Sequence, residues 1–156
     1  MPTTFTVHRC LPRLILPAVL LGATSAHAAA TEADTVFFKR AASCVAVLER
    51  DAAEMAGRYK AGERSVKSGL VRLTEQGFAF VGKAYLRGLR KPEADRLVDE
   101  AKATQKTMPA EALLQLSTGC RAEGAKLYAD ANGFEQMLVS NRAKARVDKL
   151  LAPKKS

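Results

Sequence analysis

The sequence predicts an all-α protein, a compact four- or five-helix bundle stapled by one disulfide once an N-terminal signal peptide is removed. Three observations predict it. Apolar residues recur at steps of three and four through most of the chain beyond residue 30. Prolines and glycines fall where such helices would start and stop. Two cysteines, Cys44 and Cys120, each fall on an apolar seam, 76 residues apart.

The leader comes first. Arg9 and Arg13 precede an apolar run from Leu14 to Ala23, and small residues end in Ala26-His27-Ala28, the A-x-A pattern that signal peptidase cuts. A bilayer-crossing helix needs about 20 apolar residues, so this run fits a cleaved signal better than an anchor. Cleavage is expected after Ala28, with Ala30 as the alternative. Residues 29–156 are then expected to be a single helical domain, with 152–156 a basic tail, and not transmembrane after processing. The expected location is the bacterial periplasm or the medium. Cys10 precedes the apolar run, where no lipid-attachment site would lie, and it leaves with the leader together with His8 and His27. Arg9 and Arg13 leave too, so the formal charge falls by two from +9, to +7.

The first helix is expected from about Asp34 to Tyr59, with Phe37, Ala41, Cys44, Leu48, Ala52, Met55 and Tyr59 on its apolar face. Thr31 and Asp34 are both suitable N-caps and Gly62 a suitable stop. The second, about Ser65 to Gly88, is apolar on most sides and carries Gly69, Gly77, Gly82 and Gly88. Each glycine inside a helix costs up to about 1 kcal/mol relative to Ala, a cost that makes sense where another backbone packs closely. Phe78-Ala79-Phe80 alternates as a strand would, but no partner strand is evident, which favours helix.

Pro92 and Pro109 open the third and fourth helices, since a proline in the first turn gives up no hydrogen bond. The third runs to about Gln105 with Ala94, Leu97, Val98 and Ala101 inward. The fourth runs to about Ala131 with Leu113, Leu116, Cys120, Gly124 and Leu127 inward. Asn132-Gly133 breaks the chain, and Phe134, Met137, Leu138, Val147, Leu150 and Leu151 outline a last helix before Pro153. Short connections favour antiparallel neighbours. With Cys44 and Cys120 both on core-facing seams, a disulfide between them follows from an even cysteine count in an oxidising compartment. Reactive redox pairs sit close as C-x-x-C, and these do not.

Loss of both histidines removes much chemistry. Covalent haem needs C-x-x-C-H, catalytic zinc and the Ser-His-Asp and Cys-His arrangements need histidine, and no S-x-x-K dyad is present. Gly62 to Gly69 resembles a phosphate loop only superficially, with Val66 where Walker A demands glycine. Asp130-Ala131-Asn132-Gly133 falls short of a calcium loop, because Tyr128 and Val139 stand at the first and twelfth places. Asp95 and Asp99, one helical turn apart, are a carboxylate pair of the kind glycoside hydrolysis uses, yet acidic residues are also what a helix N-terminus favours. No metal, cofactor or catalytic residue is expected, and the chain is expected not to be an enzyme.

Two surfaces remain. Arg142, Arg146 and Lys149 share one helical face, suited to an anionic surface such as lipid or lipopolysaccharide. Nucleic acid is not expected, because the patch lacks interleaved aromatics and the compartment argues against it. The second helix, apolar all round, offers Phe78, Phe80, Tyr85 and Leu89 as a partner or homodimer surface if they are exposed. The expectation is a small exported protein that works by binding an envelope partner, as an inhibitor, chaperone-like or accessory protein.

Overall fold

The computed structural model describes residues 30–153. The expected leader, residues 1–28, and the basic residues Lys154 and Lys155 of the expected tail lie outside them. Five α-helices and one 3-10 turn make up the described chain: α1 Glu32–Lys60, the turn Arg64–Val66, α2 Lys67–Leu86, α3 Lys91–Lys106, α4 Ala110–Ala129 and α5 Gly133–Leu151.

Local chemistry sets the boundaries. Thr31 is the N-cap of α1: its hydroxyl oxygen accepts from the Asp34 N–H, while the Asp34 carboxylate accepts from the Thr31 N–H. Asp34, the other cap candidate, is therefore the third-position half of a capping box. Asn132 and Glu135 repeat the device at α5, so Asn132 starts a helix rather than merely stopping one. Gly62 and Gly88, at φ 107° and 99°, turn the chain after α1 and α2, a conformation open to glycine at little cost. Pro92 sits in the first turn of α3, and Pro109 is the N-cap of α4.

α1 is the axis of the molecule, packing against every other helix. Its small residues Ala41, Ala42, Ala46, Ala52 and Ala56 are buried and allow the neighbours to approach closely, while Phe38, Val47 and Leu48 fill the space between. α2 returns beside it: Met55 meets Gly69 near one end, and at the other Arg87 stacks on Phe37 at 4.1 Å and faces Asp34. Phe37, the expected core residue, is half-buried, and its neighbour Phe38 lies deeper. The Phe78–Phe80 alternation belongs to a helix, and Phe80 is fully buried at its centre. α3 packs chiefly on α1, where the Gln105 amide donates to the Ser43 carbonyl at 2.8 Å.

Cys44 and Cys120 form the expected disulfide, with Cα atoms 5.2 Å apart. Closing a loop of this separation constrains the unfolded chain by roughly 4.5 kcal/mol in the chain-entropy account. Two helical turns along α1 from Cys44 lies Asp51, a buried charge that the seam pattern did not single out. Its carboxylate accepts from the buried Ser117 hydroxyl, from Arg121 at 2.7 Å and from Arg50 at 2.6 Å. Burial pushes the Asp51 carboxyl up, but the donors Ser117, Arg121 and Arg50 together outweigh it and hold the group below its usual range. The disulfide and this ionic cluster thus both join α1 to α4, and the Arg40–Glu123 pair at 3.0 Å adds a third link.

α5 departs from its expected seam. Ala143 and Val147 are buried against the bundle, Leu150 and Leu151 are half-buried, and Phe134, Met137 and Leu138 are exposed. α5 is fastened chiefly to α2, and among the described residues nothing covers the outer side of its first half.

Candidate functional site

α2 and α5 lie side by side, and the seam between them holds two apolar clefts. The larger, about 560 Å³, is bounded by the end of α2, the end of α4 and the start of α5. Leu86 (68% exposed), Phe134 (69%), Leu138 (47%) and Tyr85 (39%) stand around it. Leu127, Tyr128 and Val139 form its deeper wall, with Gly82 on the α2 side. Lys83, Asp130 and Glu135 give the margin mixed charge.

The second cleft, about 180 Å³, lies further along the same seam where α1 joins α2 and α5. Val45, Leu48, Ala52, Leu73, Phe78, Val81 and Leu150 line it, with Gly77 on the α2 side. Glu49 and Arg146 are its charged residues, and Glu49 is paired with Lys102 at 2.8 Å.

The four aromatic and aliphatic positions expected to share one partner surface divide here. Tyr85 is exposed at the larger cleft and Phe78 is half-buried in the smaller. Phe80 and Leu89 are core residues, so the surface expected through them does not exist. Phe80 is enclosed by α1 and α4, and Leu89 folds back after Gly88 beneath α3. Leu86, Phe134 and Leu138 take their place. Phe134 and Leu138 belong to the apolar set that outlines the last helix, and Leu86 is in the second helix, which is apolar on most sides.

Arg142, Arg146 and Lys149 are all exposed, and among the described residues none has a carboxylate within 4.0 Å. Phe134, Leu138, Arg142 and Arg146 follow one another at steps of four, which aligns them in one row on α5. The row passes from apolar at the large cleft to cationic at the small one.

The glycines explain how the clefts stay open. At Gly124 an added Cβ would stand 2.9 Å from Gln76 Cβ and 3.0 Å from the Gln76 carbonyl oxygen, so close packing requires glycine there. At Gly77 and Gly82 it would meet nothing within 4 Å. The expectation that close packing explains these two glycines is therefore not met. Gly57 has equally open surroundings but lies in the last turn of α1, away from both clefts.

Asp95 and Asp99 are exposed on α3, Asp95 paired with Lys91, and neither lines the two clefts of the α2–α5 seam. Asp130 pairs with Lys126 at the end of α4. Among the described residues no cluster of His, Cys, Asp or Glu is arranged to hold a metal ion, and no helix is long and apolar enough to cross a membrane. The chain matches no family model, no curated protein and no solved structure. Fold and clefts together define a disulfide-stapled five-helix bundle with an open apolar seam between α2 and α5.

Proposed function

We propose that this chain is an exported binding protein of the bacterial envelope, which holds an apolar segment of a partner polypeptide in the cleft between α2, α4 and α5. The observation that carries the reading is the set of large apolar side chains, Leu86, Phe134, Leu138 and Tyr85, left exposed around one groove. Scattered exposed apolar residues are ordinary, whereas a cluster around a concavity marks a contact surface. A groove of about 560 Å³ has the size to take two or three side chains of a docked segment. The mixed charges of Lys83, Asp130 and Glu135 suit a polar rim about an apolar centre. Two further features support the reading: the Cys44–Cys120 bridge fits an oxidising compartment, and the buried carboxylate, Asp51, is held ionised rather than poised for proton transfer.

Photocrosslinking in cells that export the protein tests this. A photoreactive phenylalanine analogue at Leu86 or Phe134 should capture a discrete second protein, and the same analogue at Val36 or Leu114, exposed elsewhere, should not. Absence of any adduct from the groove positions, or an adduct only with a second copy of this chain, would overturn the reading.

A second reading is favoured by the cationic row. Arg142, Arg146 and Lys149 form an exposed face that no carboxylate pairs with among the described residues, suited to an anionic envelope surface, with affinity that falls as salt rises.

A further inference from the structure

We propose that the smaller cleft, between α1, α2 and α5, is a separate ligand site for a single-chain anionic amphiphile: an alkyl chain seated on Gly77 and Phe78, its anionic head at Arg146. Three independent features of the site point there. The first is shape and lining. The cleft is concave and apolar, formed by Val45, Leu48, Leu73, Phe78, Val81 and Leu150. Its volume of about 180 Å³ is below the roughly 300 Å³ at which sites for larger, drug-sized molecules begin. A dry cavity of about 150 Å³ is enough to take up benzene, so this one accepts a slender hydrocarbon and excludes a bulky one.

The second feature is charge. Of the two charged residues lining the cleft, Glu49 is already neutralised by Lys102, and Arg146 has no carboxylate within 4.0 Å among the described residues. Arg142 and Lys149 reinforce it on the same helical face. The uncompensated charge at this opening is positive, and it selects an anionic head over a neutral or cationic one.

The third is Gly77. It sits in the middle of α2, where glycine weakens a helix, and nothing lies within 4 Å of where its Cβ would be. No internal packing requires it. A side chain at that place would project into the space the hydrocarbon chain needs.

The test uses decanoate as the probe, titrated calorimetrically into the oxidised chain. Saturable binding of one decanoate per chain is expected, weakened by salt, with decanol several-fold weaker and decyltrimethylammonium weaker still. Gly77→Leu fills the cleft and should abolish uptake. Arg146→Gln leaves the apolar lining intact and should weaken decanoate by about three- to tenfold while leaving decanol unchanged. Gly82→Leu, which projects into the other cleft, should bind decanoate as the parent does. Thermal melts of each variant confirm that it is folded, and Gly77→Ala provides a smaller change at the same place should Gly77→Leu not fold, with an intermediate loss expected.

Equal binding of the cationic and anionic probes, or decanoate uptake unchanged by Gly77→Leu, would overturn the proposal. Binding to phosphatidylglycerol vesicles without uptake of monomeric decanoate would also overturn it, in favour of a membrane-surface contact. Photocrosslinking at the larger cleft neither supports nor damages this site, so the two readings fail separately.

Discussion

Replacing glycines along α2 and α4 by alanine should raise or lower stability according to what surrounds each one. Alanine at Gly77 or Gly82 removes a mid-helix glycine, worth about 1 kcal/mol each, and places a methyl where nothing lies within 4 Å. The two positions are five residues apart, about 7.5 Å along the helix, and share no partner, so their effects should add to about 2 kcal/mol. At Gly124 the same helical gain is opposed by a methyl forced to 3.0 Å from the Gln76 carbonyl oxygen and 3.1 Å from the Phe80 ring. The carbonyl is backbone and cannot swing aside, and overpacking of this kind costs about 1–3 kcal/mol. For a domain of this size about 1 kcal/mol moves the melting midpoint by roughly 4 °C. Circular dichroism melts of the oxidised protein should therefore place Gly77→Ala/Gly82→Ala about 8 °C above the parent. Gly124→Ala should fall at or below it. A lower midpoint for either α2 variant would refute the reasoning, because it would mean that the space beside that glycine is filled in solution and that its cleft is closed.

Ser117→Ala removes one donor from the buried Asp51 carboxylate and should cost about 1.5 kcal/mol, whereas Asp51→Ala strands the buried Ser117 hydroxyl as well and should cost about 3 kcal/mol, both measured by urea unfolding at pH 7. Asp51 has its folded-state pKa depressed, so its stabilisation is present above the unfolded value near 3.9 and is lost as pH falls through the lower folded value. The gap between the parent and Asp51→Asn should accordingly be full at pH 7 and close in strong acid; a gap independent of pH would contradict the ionic account. Reduction of Cys44–Cys120 should lower stability by about 2–5 kcal/mol in the same assay, and an unchanged urea midpoint would count against the bridge as a structural one.

The fold was largely legible because its determinants are local. The step of three and four through Phe37 to Tyr59, the prolines at 92 and 109, and the break at Asn132-Gly133 each name a boundary without any knowledge of neighbours. The disulfide was legible for a related reason: Cys44 and Cys120 could each be assigned to an apolar seam independently. The clefts were not. Whether Phe80 is core and Leu86 is surface depends on which helix lies against which side of α2, and an all-round apolar helix carries no such information. The exposure of Phe134 and Leu138 was hidden for the complementary reason, since an apolar seam reads the same whether a partner helix covers it or not. Asp51 did leave a trace. It follows Leu48 by three on the face carrying Cys44, just as Ser117 precedes Cys120 by three, so two polar residues interrupt the two seams that the cysteines join.

The cross-links are unevenly shared. The disulfide, the Asp51 cluster and the Arg40–Glu123 pair at 3.0 Å all tie α1 to α4, while among the described residues no disulfide, ion pair or side-chain hydrogen bond joins α5 to α1; α5 meets α2 and α4 through the Ser140 hydroxyl, which donates to Glu75 at 2.7 Å and lies 2.8 Å from the Tyr128 hydroxyl, and through the Gln136 amide, which donates to the Tyr128 carbonyl at 3.2 Å. The molecule therefore has a locked half and a sprung half, and the sprung helix forms one wall of both clefts. Backbone amides of α5 should exchange with solvent through openings of lower free energy than those of α1. An occupant of either cleft would then act as a removable fastener, adding to the hydrogen bonds that hold α5 an attachment that can come and go.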